Sequence, residues 1–149
     1  MIRFREAARD DVAAVIALLT DDALGTVRQG GDLATYLAAF DAMRIERGNT
    51  IVVGEEAGRI VATYQLTFIS GLSLKAARRA QVESVRVAAD LRGQGVGAAM
   101  MADAEARARA AGCSLLQLTS NATRTRALRF YERLGFTPSH IGFKRDLTR

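Results

Sequence analysis

The stretch Val87-Ala-Ala-Asp-Leu-Arg-Gly-Gln-Gly-Val-Gly-Ala98 decides how this chain is read. A strand-like run from Val82 to Val87 precedes it, and an alanine-rich segment with helical character follows from Ala98. Between them, Arg92-Gly-Gln-Gly-Val-Gly97 alternates three glycines with Gln94 and Val96, so no bulky side chain shields several successive N–H groups. A helix leaves its first backbone donors without internal partners, and its dipole puts partial positive charge at the same place. A turn of this kind receives a phosphate or pyrophosphate. Arg92, at its mouth, adds a planar fork of donors suited to phosphate oxygens.

Two familiar phosphate motifs do not fit. The dinucleotide fingerprint fails because Gly95-Val-Gly97 is followed by Ala98, Ala99 and Met100, without a third glycine. Where an acid would bind ribose, about 20 residues on, the chain has Leu115, Leu116 and Gln117. The glycine turn also lies mid-chain, after a fourth strand, rather than after an early one. No Gly-x4-Gly-Lys-Ser/Thr loop is present.

Outward from the turn, the pattern predicts a strand at Ile2–Phe4 and a helix opened by Asp10 and Asp11, with Val12, Val15, Ile16 and Leu19 on one stripe. A loosely held loop contains Gly25, Gly30 and Gly31. A second helix follows Asp32 with Leu33, Tyr36, Leu37, Phe40 and Ile45. Thr50–Val53 and Ile60–Ile69 read as strands joined by the hairpin turn Glu55-Glu56-Ala57-Gly58. Ser70–Arg79 is polar, basic and irregular. Ala98–Ala111 mimics a strand's alternation, but alanine and long charged residues favour helix, and Asp103/Arg107 and Glu105/Arg109 are in favourable i,i+4 order. Val96, Met100, Ala104, Ala108 and Ala111 form its buried stripe, and Gly112 ends it. A buried strand with Leu115, Leu116 and Leu118 follows, then a helix from about Thr123 to Leu134, stopped by Gly135. Phe136–Leu147 reads as one or two closing strands. The order predicts one α/β domain over residues 1–149, with helices on both faces of a mixed sheet.

Composition narrows the function. Net charge is +5, but residues 1–74 hold 7 Lys/Arg against 10 Asp/Glu, and residues 75–149 hold 14 against 6. The basic half contains the glycine turn, which suits a polyanionic ligand. No basic run is interleaved with aromatics and no zinc signature occurs, so neither nucleic acid nor a metal is expected. No apolar run approaches the roughly 20 residues of a membrane span. The first residues lack an apolar signal segment, and Cys113 is the only cysteine, so a cytoplasmic location is expected.

The assembled pieces resemble a known family. Arg92-Gly-Gln-Gly-Val-Gly97 matches the acyl-coenzyme A signature Gln/Arg-x-x-Gly-x-Gly/Ala of the GCN5-related N-acetyltransferases (GNAT). Asn121, Arg126-Ala-Leu-Arg-Phe-Tyr131 and Leu134-Gly-Phe136 match that family's second conserved block at family-like spacing. The tail from Leu118 through Asn121, Tyr131, Phe136, Ser139 and His140 to Phe143 is further similar to aminoalkylphosphonate acetyltransferases. The middle departs from them, with no histidine-rich strand around residues 68–80. The resemblance implies a GNAT-like central, mostly antiparallel mixed sheet of six to seven strands with about four helices.

It also implies acetyl transfer from acetyl-CoA to a primary amine of a small polar molecule, by direct attack in a ternary complex. The runner-up is a non-catalytic acyl-CoA binding or sensing domain on the same fold. The implied donor site is the backbone of Gly93, Gln94, Gly95, Val96, Gly97 and Ala98 with Arg92, the strand segment Val85-Arg86-Val87 along the pantetheine arm, and Asn121. Val87 N–H is the implied oxyanion donor and Tyr131 the general acid. An alkylammonium has a pKa of about 10.4, so attack near neutral pH needs a base. Glu83 is the candidate, directly or through water, since it shares strand parity with Val85 and Val87 and all three point to one face.

Duller roles stand beside these. Tyr131 also reads as a core aromatic beside Phe130, Glu83 as a salt-bridged strand residue, and Asn121 as a helix cap. The acceptor is expected between the Thr20–Leu33 region, the third strand and Ser70–Gln81, where Lys75, Arg78 and Arg79 would attract an anionic amine or merely form a solvated loop. Family dimers are common, so the resemblance leaves a homodimer open, though no residue compels one.

Overall fold

The structure, a computed structural model, describes residues 1–21 and 32–148. The expected loop with Gly25, Gly30 and Gly31 lies outside the described residues. Two compact units divide the chain, Met1–Gln117 and Leu118–Arg149, and each is described by itself.

The first unit is built on a sheet of order β1-β2-β3-β4-β5, formed by Arg3–Glu6, Asn49–Glu56, Arg59–Ile69, Arg79–Val87 and Leu115–Leu118. The first four strands are antiparallel neighbours. Ser114 N–H donates to the Arg78 carbonyl at 2.8 Å, and the Gln117 amide donates to Gln81. Contact therefore advances along β5 and β4 in the same direction, which makes this pair parallel and the sheet mixed. Val61, Ala62, Thr63 and Tyr64 are consecutive and all nearly inaccessible to solvent. Both faces of β3 are thus covered, as its near-continuous apolar sequence requires.

Helices cover the two faces. On one side lie α1 (Val12–Leu19), entered through a 3-10 turn at Arg9–Asp11, and α2 (Leu33–Glu46). Asp32 caps α2 as its sequence suggests, accepting from Thr35 N–H at 2.9 Å. Leu18 of α1 packs with Val61 and Ala88. Tyr64 points the other way, because successive strand residues alternate. Its hydroxyl donates to Asp103 of α4 (Val96–Ala110) at 2.6 Å. Burial and the Asp103 carboxylate, which accepts that proton, hold the Tyr64 phenol far above its usual range. Arg107 donates to the same carboxylate at 2.8 Å and reaches the Phe4 carbonyl, so β1, β3 and α4 share one polar tie. The stripe of α4 is Val96, Met100, Ala104 and Ala108, with Met101 also buried; Ala111, expected to extend it, stands past the helix as its C-cap and is only half-buried.

A single helical turn, α3 (Ser73–Ala76), connects β3 to β4. Leu74, Lys75 and Ala76 have φ of +53°, +59° and +59°, so the turn is left-handed. The second unit contains α5 (Thr125–Arg133), two residues shorter at its start than the sequence suggests.

Five strands stand where six to seven were expected. Phe136–Leu147 forms no strand among the described residues. Pro138 lacks an N–H, and the hydrogen bonds described there are local, from Ser139 N–H to Thr137 and from Thr148 N–H to Asp146. The alternation of Ile141 and Phe143 suggested strands, yet both side chains are exposed.

Candidate active site

The site is organised by an irregularity in β4. Ala62 faces Val87 and Thr63 faces Arg86, but Gln65 faces Glu83, so β4 carries one extra residue opposite Tyr64. Ser84 takes φ +54°, the left-handed region, as the chain accommodates this bulge. Opposed residues on antiparallel strands share a face. Glu83 therefore lies with Gln65, Thr63 and Arg86 on the side of α1 and α2, while Val87 lies with Ala62 on the other. The expected common face of Glu83 and Val87 is thus corrected: an inserted residue reverses strand parity.

Main-chain directions sort the other strand candidates. Ala88 N–H donates to the Val61 carbonyl at 2.8 Å. Hydrogen-bonded and open pairs alternate on an antiparallel ladder, so Ala62 and Val87 form an open pair. The N–H and carbonyl of Val87 consequently point away from β3, whereas those of Arg86 turn toward Thr63. The Val87 carbonyl accepts from Arg92 Nε at 3.2 Å. With Gln117 level with Gln81 and β5 ending one residue later, Val85–Val87 lies beyond the stretch of β4 that β5 pairs with.

Directly after β4, a 3-10 turn (Ala89–Leu91) leads into the glycine run. Asp90 is gripped by both terminal nitrogens of Arg59, at 2.8 and 2.9 Å, and this guanidinium holds its carboxyl below the usual range. Gln94 donates back to the Asp90 carbonyl at 3.0 Å. Gly93 and Gly95 take φ of +76° and +85°, and a Cβ at either would meet nothing within 4 Å. Glycine is required there by backbone conformation, not by lack of space. Gly95 caps α4 without a side chain, and the first intrahelical bond runs from Ala99 N–H to the Gly95 carbonyl. Val96, Gly97 and Ala98 thus carry N–H groups with no helical acceptor. Arg92 lies at the mouth of the turn, paired with Asp21 at 3.3 Å. The bared N–H groups and the glycine-rich turn fit a diphosphate.

On the α1/α2 face a cavity of about 220 Å³ lies between those helices and the sheet, with Gln65 and Ser84 in its floor. The bulge, Glu83 and this cavity therefore meet on one side of the sheet. The cations of the Ser70–Gln81 segment do not join them. Ile69 opposite Arg79 is five residues from Tyr64, about 17 Å along the strand. Arg78 is engaged there, donating to Ser70 Oγ at 2.8 Å and stacking over Phe68. Lys75 belongs to the left-handed turn beyond it.

Asn121 and Tyr131 belong to the second unit. Asn121 Oδ1 accepts from Thr123 N–H at 3.0 Å and from its hydroxyl at 2.7 Å, a closed turn rather than a helix cap. Arg124, not Asn121, stands at the N-cap of α5. The Tyr131 ring is braced by Phe130 and Phe136, with centroids 5.2 and 5.8 Å away. His140 Nδ1 is 2.7 Å from Ser139 Oγ on an exposed segment. Ser84 and Gln65 escaped the sequence reading, because nothing in Val82-Glu-Ser-Val85 marks a bulge. Among the described residues no cluster of His, Cys, Asp or Glu is arranged to hold a metal, and no helix is long and apolar enough to cross a membrane.

The chain is similar to known proteins in sequence and fold. A protein from Bacillus halodurans named as a transcriptional regulator superposes with TM-score 0.94 at 36% identity, covering 99% of this chain and 100% of that one. An acetyltransferase of Trypanosoma brucei superposes with TM-score 0.80 at 26% identity, covering 99% and 100%. The aminoalkylphosphonate N-acetyltransferase of Salmonella typhimurium is 39% identical over 67 residues, which is 45% of this chain and 44% of that protein's length. Residues 9–136 match the acetyltransferase (GNAT) family, across the glycine turn and the Tyr131 helix alike, and the chain belongs to that family.

Proposed function

We propose that the chain is a single acetyltransferase domain that moves an acetyl group from acetyl-CoA to the primary amine of a small molecule by direct attack. The observation carrying this reading is the adjacency of two sets of backbone donors: Val87 N–H, turned away from β3, and the N–H groups of Val96, Gly97 and Ala98 that open α4. The α4 donors bind the diphosphate and Arg92 supports them, exchanging its pairing with Asp21 for phosphate oxygens. The open edge at Val85 and Val87 takes the amide-bearing arm by strand addition. Val87 N–H stabilises the thioester oxygen as it gains negative charge. Glu83 takes one proton from the bound ammonium; the neutral amine then bonds to the carbonyl carbon, and the second proton shed by nitrogen as the amide forms replaces the one that Tyr131 gives up. As the carbon–sulfur bond breaks, the Tyr131 hydroxyl gives a proton to the leaving sulfur. Asn121 supplies amide contacts to the arm of the donor.

The test is free-thiol release from acetyl-CoA across a panel of amines, with Tyr131→Phe as control. Amine-dependent release by wild type, and a kcat at least tenfold lower in Tyr131→Phe with unchanged coenzyme A affinity, support the assignment. A second reading, a non-catalytic acyl-CoA sensing domain, is favoured by the name of the Bacillus halodurans relative. Tight coenzyme A binding with no amine-dependent thiol release selects it.

A further inference from the structure

The cavity beside the bulge has a composition that narrows the acceptor. Its walls are Ile16 and Leu19 of α1 and Tyr36, Phe40 and Met43 of α2, with Ile51 in the floor. Among the described residues none of its lining side chains is charged. The polar groups of the lining are those of Gln65 and Ser84 in the floor and the hydroxyl of Tyr36 in the wall, and Glu83 lies opposite Gln65 on the same face. Cross-strand partners of this kind have Cβ atoms about 5 Å apart. The residue proposed to receive an ammonium proton thus stands next to Gln65 on the cavity side of the sheet, and apart from the Tyr36 hydroxyl the rest of the lining is hydrocarbon.

From this asymmetry we infer that the acceptor is a primary amine on a short chain bearing a compact uncharged apolar group about the size of a phenyl ring. The inference rests on the transferase reading and adds the substrate class. Volume supports the size. An apolar cavity of about 150 Å³ admits benzene, so a cavity of 220 Å³ leaves space for roughly two further chain atoms. Lining chemistry supports the lack of charge, because an anionic headgroup among these side chains would be desolvated with no cation to pair with. The cations expected to attract such a headgroup, Lys75, Arg78 and Arg79, lie at the far end of the β3–β4 hairpin. This separates the chain from the substrate named for its Salmonella relative, and replaces the small polar acceptor expected from sequence.

The experiment compares 2-phenylethylamine, ethylamine and 2-aminoethylphosphonate in two assays: calorimetric binding to protein saturated with coenzyme A, and thiol release from acetyl-CoA. The expected result is that 2-phenylethylamine exceeds ethylamine about tenfold to a hundredfold in both, which is the effect of burying one aromatic ring. The aminophosphonate falls below ethylamine. Ala39 is exposed on α2 and lines the cavity, so Ala39→Phe fills it from the rim without disturbing the core. This variant should cut the 2-phenylethylamine-to-ethylamine ratio at least tenfold at an unchanged melting temperature. Equal affinities for the three amines, preference for the aminophosphonate, or a ratio untouched by Ala39→Phe would overturn the inference. Equal turnover of all three amines leaves the transferase reading standing and removes this one. Selective, Ala39→Phe-sensitive binding without thiol release does the reverse, keeping the amine site and removing the transferase.

Discussion

Gly95→Ala separates what the glycine turn does for folding from what it does for a ligand. Gly95 sits at φ +85° with open space around its missing Cβ, so an added methyl meets no atom. The penalty is conformational alone, about 1–2 kcal/mol for a side chain in the left-handed region. For a domain of this size that lowers the melting temperature by about 2–8 °C. Gly112 is the matched control, with φ +79°, equally open space, and a place at the opposite end of α4. A helix of 15 residues separates the two, about 22 Å. Gly112→Ala should therefore produce a similar thermal loss. Coenzyme A affinity should distinguish them. Relief of strain at Gly95 rotates the peptide groups entering α4, and losing one charge-assisted bond of about 1.5–3 kcal/mol weakens binding tenfold to more than a hundredfold. Gly112→Ala should leave affinity within twofold. Thermal melts and titration calorimetry on both variants decide the matter. Equal losses of affinity, or undiminished binding by a thermally weakened Gly95→Ala, would refute the claim that these N–H groups hold the ligand.

Other perturbations test the surrounding frame. Tyr64→Phe deletes the bond to Asp103 while leaving that carboxylate its Arg107 partner, and urea unfolding should register a loss of about 1–2 kcal/mol. Gly54→Ala places a methyl 3.0 Å from Ile2 and Phe4 and 3.1 Å from Ala62, so strain in the packed sheet should cost about 1–3 kcal/mol by the same assay. Asp11 is held below the usual carboxylate range chiefly by its bond from Arg5, so its contribution is complete above about pH 4 and disappears as pH falls through the depressed folded value. The melting-temperature gap between wild type and Asp11→Asn should be open at pH 7 and close below about pH 4; a constant gap to pH 2.5 contradicts this. Arg92→Ala should weaken coenzyme A binding and flatten its salt dependence, whereas Asp21→Asn, by releasing the guanidinium, should tighten it.

Where local chemistry dictates conformation, the elements were legible in the residues. The Asp32 cap, the alanine-rich α4 with its Val96–Met100–Ala104–Ala108 stripe, and the glycine turn each arise from short-range preferences, and each stands where the sequence puts it. The exposed ends fared worse. Phe136–Leu147 alternates like a strand, but alternation states which side chains would share a face and not whether a neighbouring edge exists to pair with. Ile45 shows the same weakness on α2, where helical spacing suggested burial and the side chain is exposed.

The bulge is the instructive failure, because it changes chemistry and not just a boundary. Glu-Ser-Val offers no glycine, proline or asparagine to announce a residue at positive φ. Only the competition between two registers on β3, with Ala62 held against Val87 and Leu66 against Val82, forces β4 to absorb an extra residue. An unbroken β4 would point Glu83 and Val87 to one side. With the insertion, Glu83 enters the face that carries the apolar cavity, while the strand beyond it keeps Val87 N–H directed at the unpaired edge. The groups proposed to serve the acceptor and the donor are thereby split between a sheet face and a sheet edge within five residues. Restoring parity by deleting Ser84 should remove amine-dependent turnover and leave coenzyme A binding at the α4 entrance intact. Loss of both together would mean that the bulge shapes the fold as a whole and does not sort the two partners of the reaction.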